Sequence, residues 1–332
     1  MIIRITKDIE ASKWKSILEK SDFSNPFQTP AFFELFNRQE GYCSEAFAVE
    51  EKGEYTCLLV VTQQKEPGLK AQFSNRAIIY GGPVILDNSL KSISYLIKFI
   101  VEHYKRRSIY LEFRNYLDYS VYESVYVQNR FKFLPYLNYR IPIEGKTMDG
   151  ILNQMNYNRK REIRLSFENH VSYYEVSSTQ DLEELYKILK TLYSKRVKLP
   201  IPSLEFFKTL SESELGKIFI VKHNNVTIGG SFCVSLPQQA IYTMYYCGIR
   251  EYNKRIFPTH IAIYAAIEFA LKNDIKYVDL MGAGIKDEEY GVRAYKQKFG
   301  GELNEYGRYR IILKPLMYKV GLIGLTLMKR IR

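Results

Sequence analysis

Four basic residues, Arg159, Lys160, Arg161 and Arg164, fall within six positions of the chain. On a helix, Arg161 and Arg164 lie one turn apart, and Lys160 shares a face with Arg164. Guanidinium groups placed in this way can hold a diphosphate through paired hydrogen bonds. The competing reading is a solvated helix surface with Glu162 as a local partner. A second candidate is Asp279, which closes the apolar run KYVDLM just before Gly282 and Gly284. A carboxylate at a strand end, facing a glycine-containing loop, can take a proton from a reacting group. It can equally bond backbone N–H groups there. Asp287, Glu288 and Glu289 follow it as further candidates. His260 opens an apolar helical segment, where it could meet a ligand or cap the helix.

Other chemistries find little support. The four cysteines (Cys43, Cys57, Cys233, Cys247) form no CxxC pair, and the four histidines are scattered. No metal site and no disulfide framework is expected, and a reducing compartment fits. There is no Ser-His-Asp order and no DxD motif. The formal net charge of +12 favours an anionic partner: nucleic acid, anionic lipid or a phosphorylated substrate. The start, MIIRITKDIE, does not read as a signal peptide, and no apolar run is long enough to span a bilayer. A cytoplasmic protein is expected.

The elements that must position these residues come in two copies. VQNRFKFLPYLNYRIPI, from Val127, and YKQKFGGELNEYGRYRIIL, from Tyr295, carry nearly the same phrase about 170 residues apart. Tyr139-Arg140-Ile141 aligns with Tyr309-Arg310-Ile311. The likeness extends upstream. Each copy reads as strand, helix, hairpin, strand, helix, a strand ending in an acid (Glu112 or Asp279), and a final strand. The second hairpin turns at Asn224-Asn225. Helical spacing of apolar residues marks SISYLIKFIVEHYKRR and its counterpart THIAIYAAIEFALKND. The segment KTMDGILNQMNYNRKREIRLSFENH, before the second copy, reads as a basic helix. The expected domains are 1–145, 146–314 with the leading basic helix, and a basic apolar tail at 315–332.

This order resembles two tandem copies of the acetyltransferase-like GNAT fold, each a mixed, mostly antiparallel sheet flanked by helices in an α/β chain. Fused in this way, they resemble the Fem-type aminoacyltransferases, the FemABX family of cell-wall enzymes. NYNRKREIRLSFENHVSYYEV resembles that family's basic helix and following strand. LPIPSLEFFKTL resembles its proline-containing loop and helix, and KYVDLMGAG with YGVRAYKQKFGGEL its C-terminal segment. The likeness covers most of the chain and is densest from about Asn153 to Arg310.

The resemblance implies further roles. It places an aromatic–lysine pair at Tyr295-Lys296, with tyrosine where the family usually has phenylalanine. Lys296 would stabilise charge on the attacked carbonyl or anchor the acceptor, and Tyr295 would pack on the substrate. Otherwise Lys296 is an exposed helix lysine. Arg159, Lys160, Arg161 and Arg164 would contact the phosphorylated substrate. Asp279 as base and His260 as a further substrate contact rest on their positions, and the family also allows proton loss assisted by the substrate, with no protein base. The donor would be an aminoacyl-tRNA and the acceptor an amine on a phosphorylated or lipid-linked cell-envelope precursor. No cofactor is implied. A CoA site needs a glycine-rich turn at a helix N-terminus. The matching turn, Arg255 to His260, has Pro258 and His260 in place of glycines. Two alternatives stay open: an acyl-CoA-type N-acyltransferase acting on an amino sugar or polysaccharide precursor, and a non-catalytic tRNA- or membrane-binding protein. The tail PLMYKVGLIGLTLMKRIR, basic and apolar, reads as a helix on the core or on an anionic membrane surface.

Overall fold

The structure, a computed structural model, describes residues 3–66, 71–86 and 89–331. Met1, Ile2, the Asp87-Asn88 part of the first copy's turn and Arg332 lie outside the described residues, as do the tail side chains beyond Gly324. The chain divides into two compact units, one made of 1–136 with 306–332, the other of 137–305.

The first unit opens with strand β1 (Ile3–Thr6) and helices α1 (Ala11–Lys20) and α2 (Pro30–Asn37). A hairpin follows, β2 (Tyr42–Glu51) and β3 (Glu54–Gln64), turning at Lys52 and Gly53, both with positive φ. That left-handed pair gives the twist a two-residue hairpin needs. Next come α3 (Ala71–Ser74), β4 (Arg76–Gly81), β5 (Val84–Ile85), α4 (Leu90–Tyr104), β6 (Tyr110–Asn115), α5 (Glu123–Gln128) and β7 (Lys132–Leu134). Helix α4 buries Ile93, Leu96, Ile97, Ile100 and Tyr104, the stripe its spacing predicts.

The second unit repeats the plan. It runs β8 (Tyr136–Pro142), α6 (Met148–Gln154), α7 (Tyr157–Glu168), β9 (Ser172–Glu175), α8 (Thr179–Leu192) and α9 (Leu204–Glu212). Then come β10 (Gly216–His223), β11 (Val226–Leu236), β12 (Ala240–Gly248), α10 (Pro258–Lys272), β13 (Tyr277–Ile285), α11 (Gly291–Gln297) and β14 (Glu302–Asn304). Asn224 and Asn225 both have positive φ at the expected turn. The expected single basic helix is two, α6 and α7, because Met155 is extended between them. Helix α10 buries Ala262, Ala265, Ala266 and Ala270, small residues that let it lie close on the sheet. The chain ends with β15 (Arg308–Ile312) and α12 (Pro315–Ile331).

The final strands depart from the expected plan, in which each copy keeps its own. They are exchanged. β8, from the first copy, lies between β14 and β13 in the second sheet. β15, from the second copy, lies between β6 and β7 in the first, pairing Arg310 with Glu112 and Arg308 with Leu134. The expected first domain, 1–145, therefore contains a strand that pairs in the second sheet. Two strands with the same pattern, YRIP and YRII, suit either slot, so only long-range pairing decides their places.

Candidate active site

Strands β12 and β13 run parallel and pair over only three positions, ending at Tyr242 opposite Asp279. Both strands continue, to Gly248 and Ile285. On its other side β12 carries a bulge at Met244, where the register with β11 shifts. Bulges of this kind redirect strands beside functional sites. Past the last pair, Met281 takes φ +62°, a left-handed conformation that is rare for a side chain of this size.

The carbonyls of this strand end need donors from elsewhere, and α11 supplies them. Lys296 Nζ donates to the carbonyls of Leu280 (2.5 Å) and Gly282 (2.7 Å), with a longer contact to Met281 (3.4 Å). Arg293, one turn earlier, donates to Ala283 (2.8 Å), Lys286 (3.0 Å) and Ile285. Two cations on one helical face thus fasten residues 280–286. Lys296 is 4% exposed, so the reading of it as a surface lysine fails. Burial pulls its amine down to about 8, against the opposing pull of Asp279.

Asp279 is fully buried. Its Oδ1 accepts the Met281 N–H (2.6 Å), and its Oδ2 accepts from Arg140 Nε (3.0 Å). Both oxygens are therefore engaged. Burial raises its carboxyl above the usual range, although Arg140, the Met281 N–H and Lys296 work against this. Arg140 comes from the exchanged strand β8, and its guanidinium lies 4.0 Å from the centre of the Tyr277 ring. The acid thus holds the left-handed turn and the exchanged strand together.

A second cluster sits on the adjoining face of α11. The Arg159 guanidinium lies 4.4 Å from the Tyr295 ring and 4.1 Å from the Phe299 ring. Glu162 approaches Arg159 Nε at 3.9 Å and His260 Nδ1 at 3.5 Å. The His260 ring stacks parallel on Phe257 and lies 5.6 Å from Tyr295. Burial, with Arg159 and Lys298 nearby, drives the imidazole down to about 3, so it is neutral at physiological pH. Burial pushes the Tyr295 phenol up to about 12. Among the described residues, Arg159 Nε and Nη1, His260 Nδ1 and Tyr295 Oη are enclosed without a hydrogen-bond partner. Each such group costs about 1–3 kcal/mol if left unpaired. The cluster is therefore suited to polar groups of a ligand. Tyr246 joins it to Lys296: its ring stacks on Tyr295 at 6.1 Å and lies 6.0 Å from Lys296 Nζ.

The sequence-predicted residues thus separate into three places. Lys296 and Asp279 share the end of β13. Tyr295, Arg159 and His260 share the buried cluster. Lys160, Arg161 and Arg164 stay on the exposed face of α7, where Arg164 pairs with Glu168 at 3.4 Å. Arg159 is not part of that basic face: with Ile163 and Ser166 it forms the buried side of the helix. His260 does not cap α10, whose N-cap is Phe257 with no side-chain bond. At the turn before α10, Pro258 occupies the first helical position. A side chain at Gly248 would come within 2.9 Å of Pro258 Cβ and 2.7 Å of Thr259 Oγ1. The helix start is packed on the sheet where a pyrophosphate would need open backbone N–H groups.

Sequence reasoning missed Arg140, Arg293 and Tyr246 as site residues; Glu162, expected as a local partner of the basic run, lies beside the buried Arg159. For Arg293 a signal existed: it stands three residues before Lys296, on the face that meets the MGAGIK segment.

Comparison with known proteins follows the same lines. The chain matches the crystal structure of FemX with a TM-score of 0.76, covering 96% of this chain and 99% of that one at 15% identity. Residues 211–323 match the FemAB family. The FemAB match covers about a third of the chain, and the likeness to FemX at this identity is one of fold. The chain also matches the structure of L-PGS from Bacillus licheniformis, with TM-score 0.59, 12% identity and coverage of 94% and 96%. A tandem GNAT protein from the clavulanic acid biosynthesis pathway matches with TM-score 0.55, 7% identity and coverage of 94% and 99%. A comparison with curated protein sequences finds no match. The expected fold, two tandem GNAT-like units with mostly antiparallel sheets flanked by helices, is the one observed. Family match and fold together support an acyltransferase. Among the described residues, no helix is long and apolar enough to cross a membrane.

Proposed function

We propose that the second unit transfers an aminoacyl group from charged tRNA to an amine on a phosphorylated or lipid-linked cell-envelope precursor. The observation that carries this reading is Lys296, a buried cation at the open end of β13 inside the segment that matches the FemAB family. In the reaction, the acceptor amine attacks the ester carbonyl. The N–C bond forms, the bond from the carbonyl carbon to the 3′ oxygen of tRNA breaks, and the amine's proton ends on that oxygen. Negative charge builds on the carbonyl oxygen in between. A preformed cation in a low-dielectric site stabilises that charge far better than water does. The Lys296 ammonium reaches it by giving up its longest contact, to Met281 at 3.4 Å.

The other residues take roles that follow from their places. Tyr295 forms the wall beside Lys296. Arg159 and His260, near Glu162 but without a hydrogen bond at Arg159 Nε and Nη1 and His260 Nδ1, offer enclosed polar atoms to the acceptor. Lys160, Arg161 and Arg164 form an exposed basic face that suits a phosphate group. Asp279, with both oxygens engaged, holds Met281 and Arg140 in place and is a positioning residue, not the base. The packed helix start at Pro258 favours a tRNA donor over CoA.

The test is amide formation by the full chain from pools of charged tRNA and lipid-linked precursors, read by mass spectrometry. Transfer is expected, and Lys296→Met lowers it about 10²–10³-fold, the effect of losing one oxyanion donor. Absence of transfer with every charged tRNA overturns the reading. Micromolar CoA affinity by calorimetry would put the CoA-type acyltransferase in its place. Binding of tRNA without turnover would leave a non-catalytic protein.

A further inference from the structure

The first unit holds a cavity of about 760 Å³ that the transfer chemistry does not use. It is bordered by α4, the segment from Gln128 to Leu134, β15 and the start of α12. Its wall carries Lys98, Lys105, Arg130, Lys132 and Arg310 against a single carboxylate, Glu102. Glu102 pairs with Lys105 at 3.4 Å, and Arg310 is committed to Glu112. Lys98, Arg130 and Lys132 have no acidic partner among the described residues. Unpaired like charges in one concavity repel one another, and their field concentrates anions there.

Helix α12 rises from the rim of this cavity and has two unlike faces. Tyr318 packs edge-on against Tyr110, and its hydroxyl accepts from Arg310 at 3.1 Å. Gly321 comes against the Phe73 carbonyl, where an added Cβ would stand 3.1 Å away. These positions dock the helix on its own unit. The opposite face presents Leu316, Val320 and Ile323, spaced at i, i+4 and i+7 and 79%, 49% and 61% exposed. Lys319 flanks that stripe and is exposed as well.

We infer that this face of the first unit docks on an anionic lipid bilayer, with the α12 stripe entering the headgroup boundary and the cavity taking a lipid phosphate. A nucleic acid would engage the cations but would leave Leu316, Val320 and Ile323 unexplained. A second copy of the chain would cover the stripe but would bring like charges together. An anionic bilayer answers both features at once. The surface is independent of the transferase reading.

The experiment is co-sedimentation of the full chain with vesicles of phosphatidylglycerol and phosphatidylcholine, or of phosphatidylcholine alone. Binding is expected only with the anionic vesicles, weakening as salt rises. Combined Lys98→Glu, Arg130→Glu and Lys132→Glu changes lower it by about ten-fold or more. So does Leu316→Ser with Val320→Ser and Ile323→Ser. All these residues are exposed, and a thermal melt checks that each variant folds. Equal binding to phosphatidylcholine alone overturns the inference, as does anionic-vesicle binding that survives both sets of changes. A wild-type dimer that Val320→Glu dissociates assigns the stripe to a second copy and overturns it too.

Discussion

Glu112 in the first unit and Asp279 in the second hold the same place in the repeat, but their surroundings differ. Glu112 accepts from Arg114 Nε at 2.7 Å and Arg310 Nε at 2.5 Å, with Arg308 at 3.5 Å. Burial pushes its carboxyl up, but the three guanidinium groups outweigh burial and hold it below the usual range. Asp279 has one guanidinium, Arg140, and burial wins. Arg310 and Arg140 are equivalent residues of the exchanged strands, so each pair joins an acid of one copy to an arginine of the other. The other two arginines are what differ. Where the first unit has Arg114 and Arg308, the second has left-handed Met281 and Asn138. Lys296 stands where the first unit has an exposed Gln128. One unit closes its charge network side chain to side chain. The other leaves a cation bonded to backbone carbonyls.

The widest gap should appear in stability. Glu112→Gln leaves three guanidinium groups facing a neutral side chain, and about 3–5 kcal/mol should be lost in urea unfolding. Asp279→Asn strands one guanidinium and keeps an acceptor for the Met281 N–H, so the loss should be about 1–3 kcal/mol. Equal losses would mean that the two acids do the same work.

A smaller effect concerns acid. The folded chain keeps His260 neutral down to about 3, whereas the unfolded chain takes up the proton near pH 6.5. The folded pKa is the lower one, so this stability is present above about 6.5 and is lost as pH falls toward 3. Between pH 7.5 and 5 the loss is about 2 kcal/mol. His260→Gln should lack that component when unfolding is compared at the two pH values. An unchanged pH dependence would show that the imidazole is not held neutral.

The smallest effect is expected at Met281. Glycine takes its φ of +62° without strain, which offsets the usual loss for glycine in a strand. Met281→Gly should shift stability by no more than about 1 kcal/mol. Arg114→Gly, at the equivalent place, removes a partner of Glu112 and should cost several times that. A Met281→Gly loss as large would show that the side chain, not the backbone, secures the strand end.

The duplication was legible because both copies keep the same phrase and hairpin turns. The strand exchange was not, since YRIP and YRII have the same alternation and fit either sheet. Yet the acid and arginine at matching offsets, Glu112 with Arg310 and Asp279 with Arg140, mark the exchange once the strands are placed. Arg159 was hidden in a run of like charges. Its spacing from Ile163 and Ser166 follows one face of α7, and that periodicity was the signal for its burial. Burial of Lys296 had no local sign. A lysine on a seven-residue helix is ordinarily solvated, and only the end of the β12–β13 ladder creates the carbonyls that draw it inward.

The most direct test of the account is single-turnover amide formation from pre-charged tRNA, comparing wild type with Lys296→Met and with Gln128→Met. Melts run alongside confirm that both variants are folded. The account predicts a rate about 10²–10³-fold lower for Lys296→Met and an unchanged rate for Gln128→Met. Equal rates for all three proteins would contradict it.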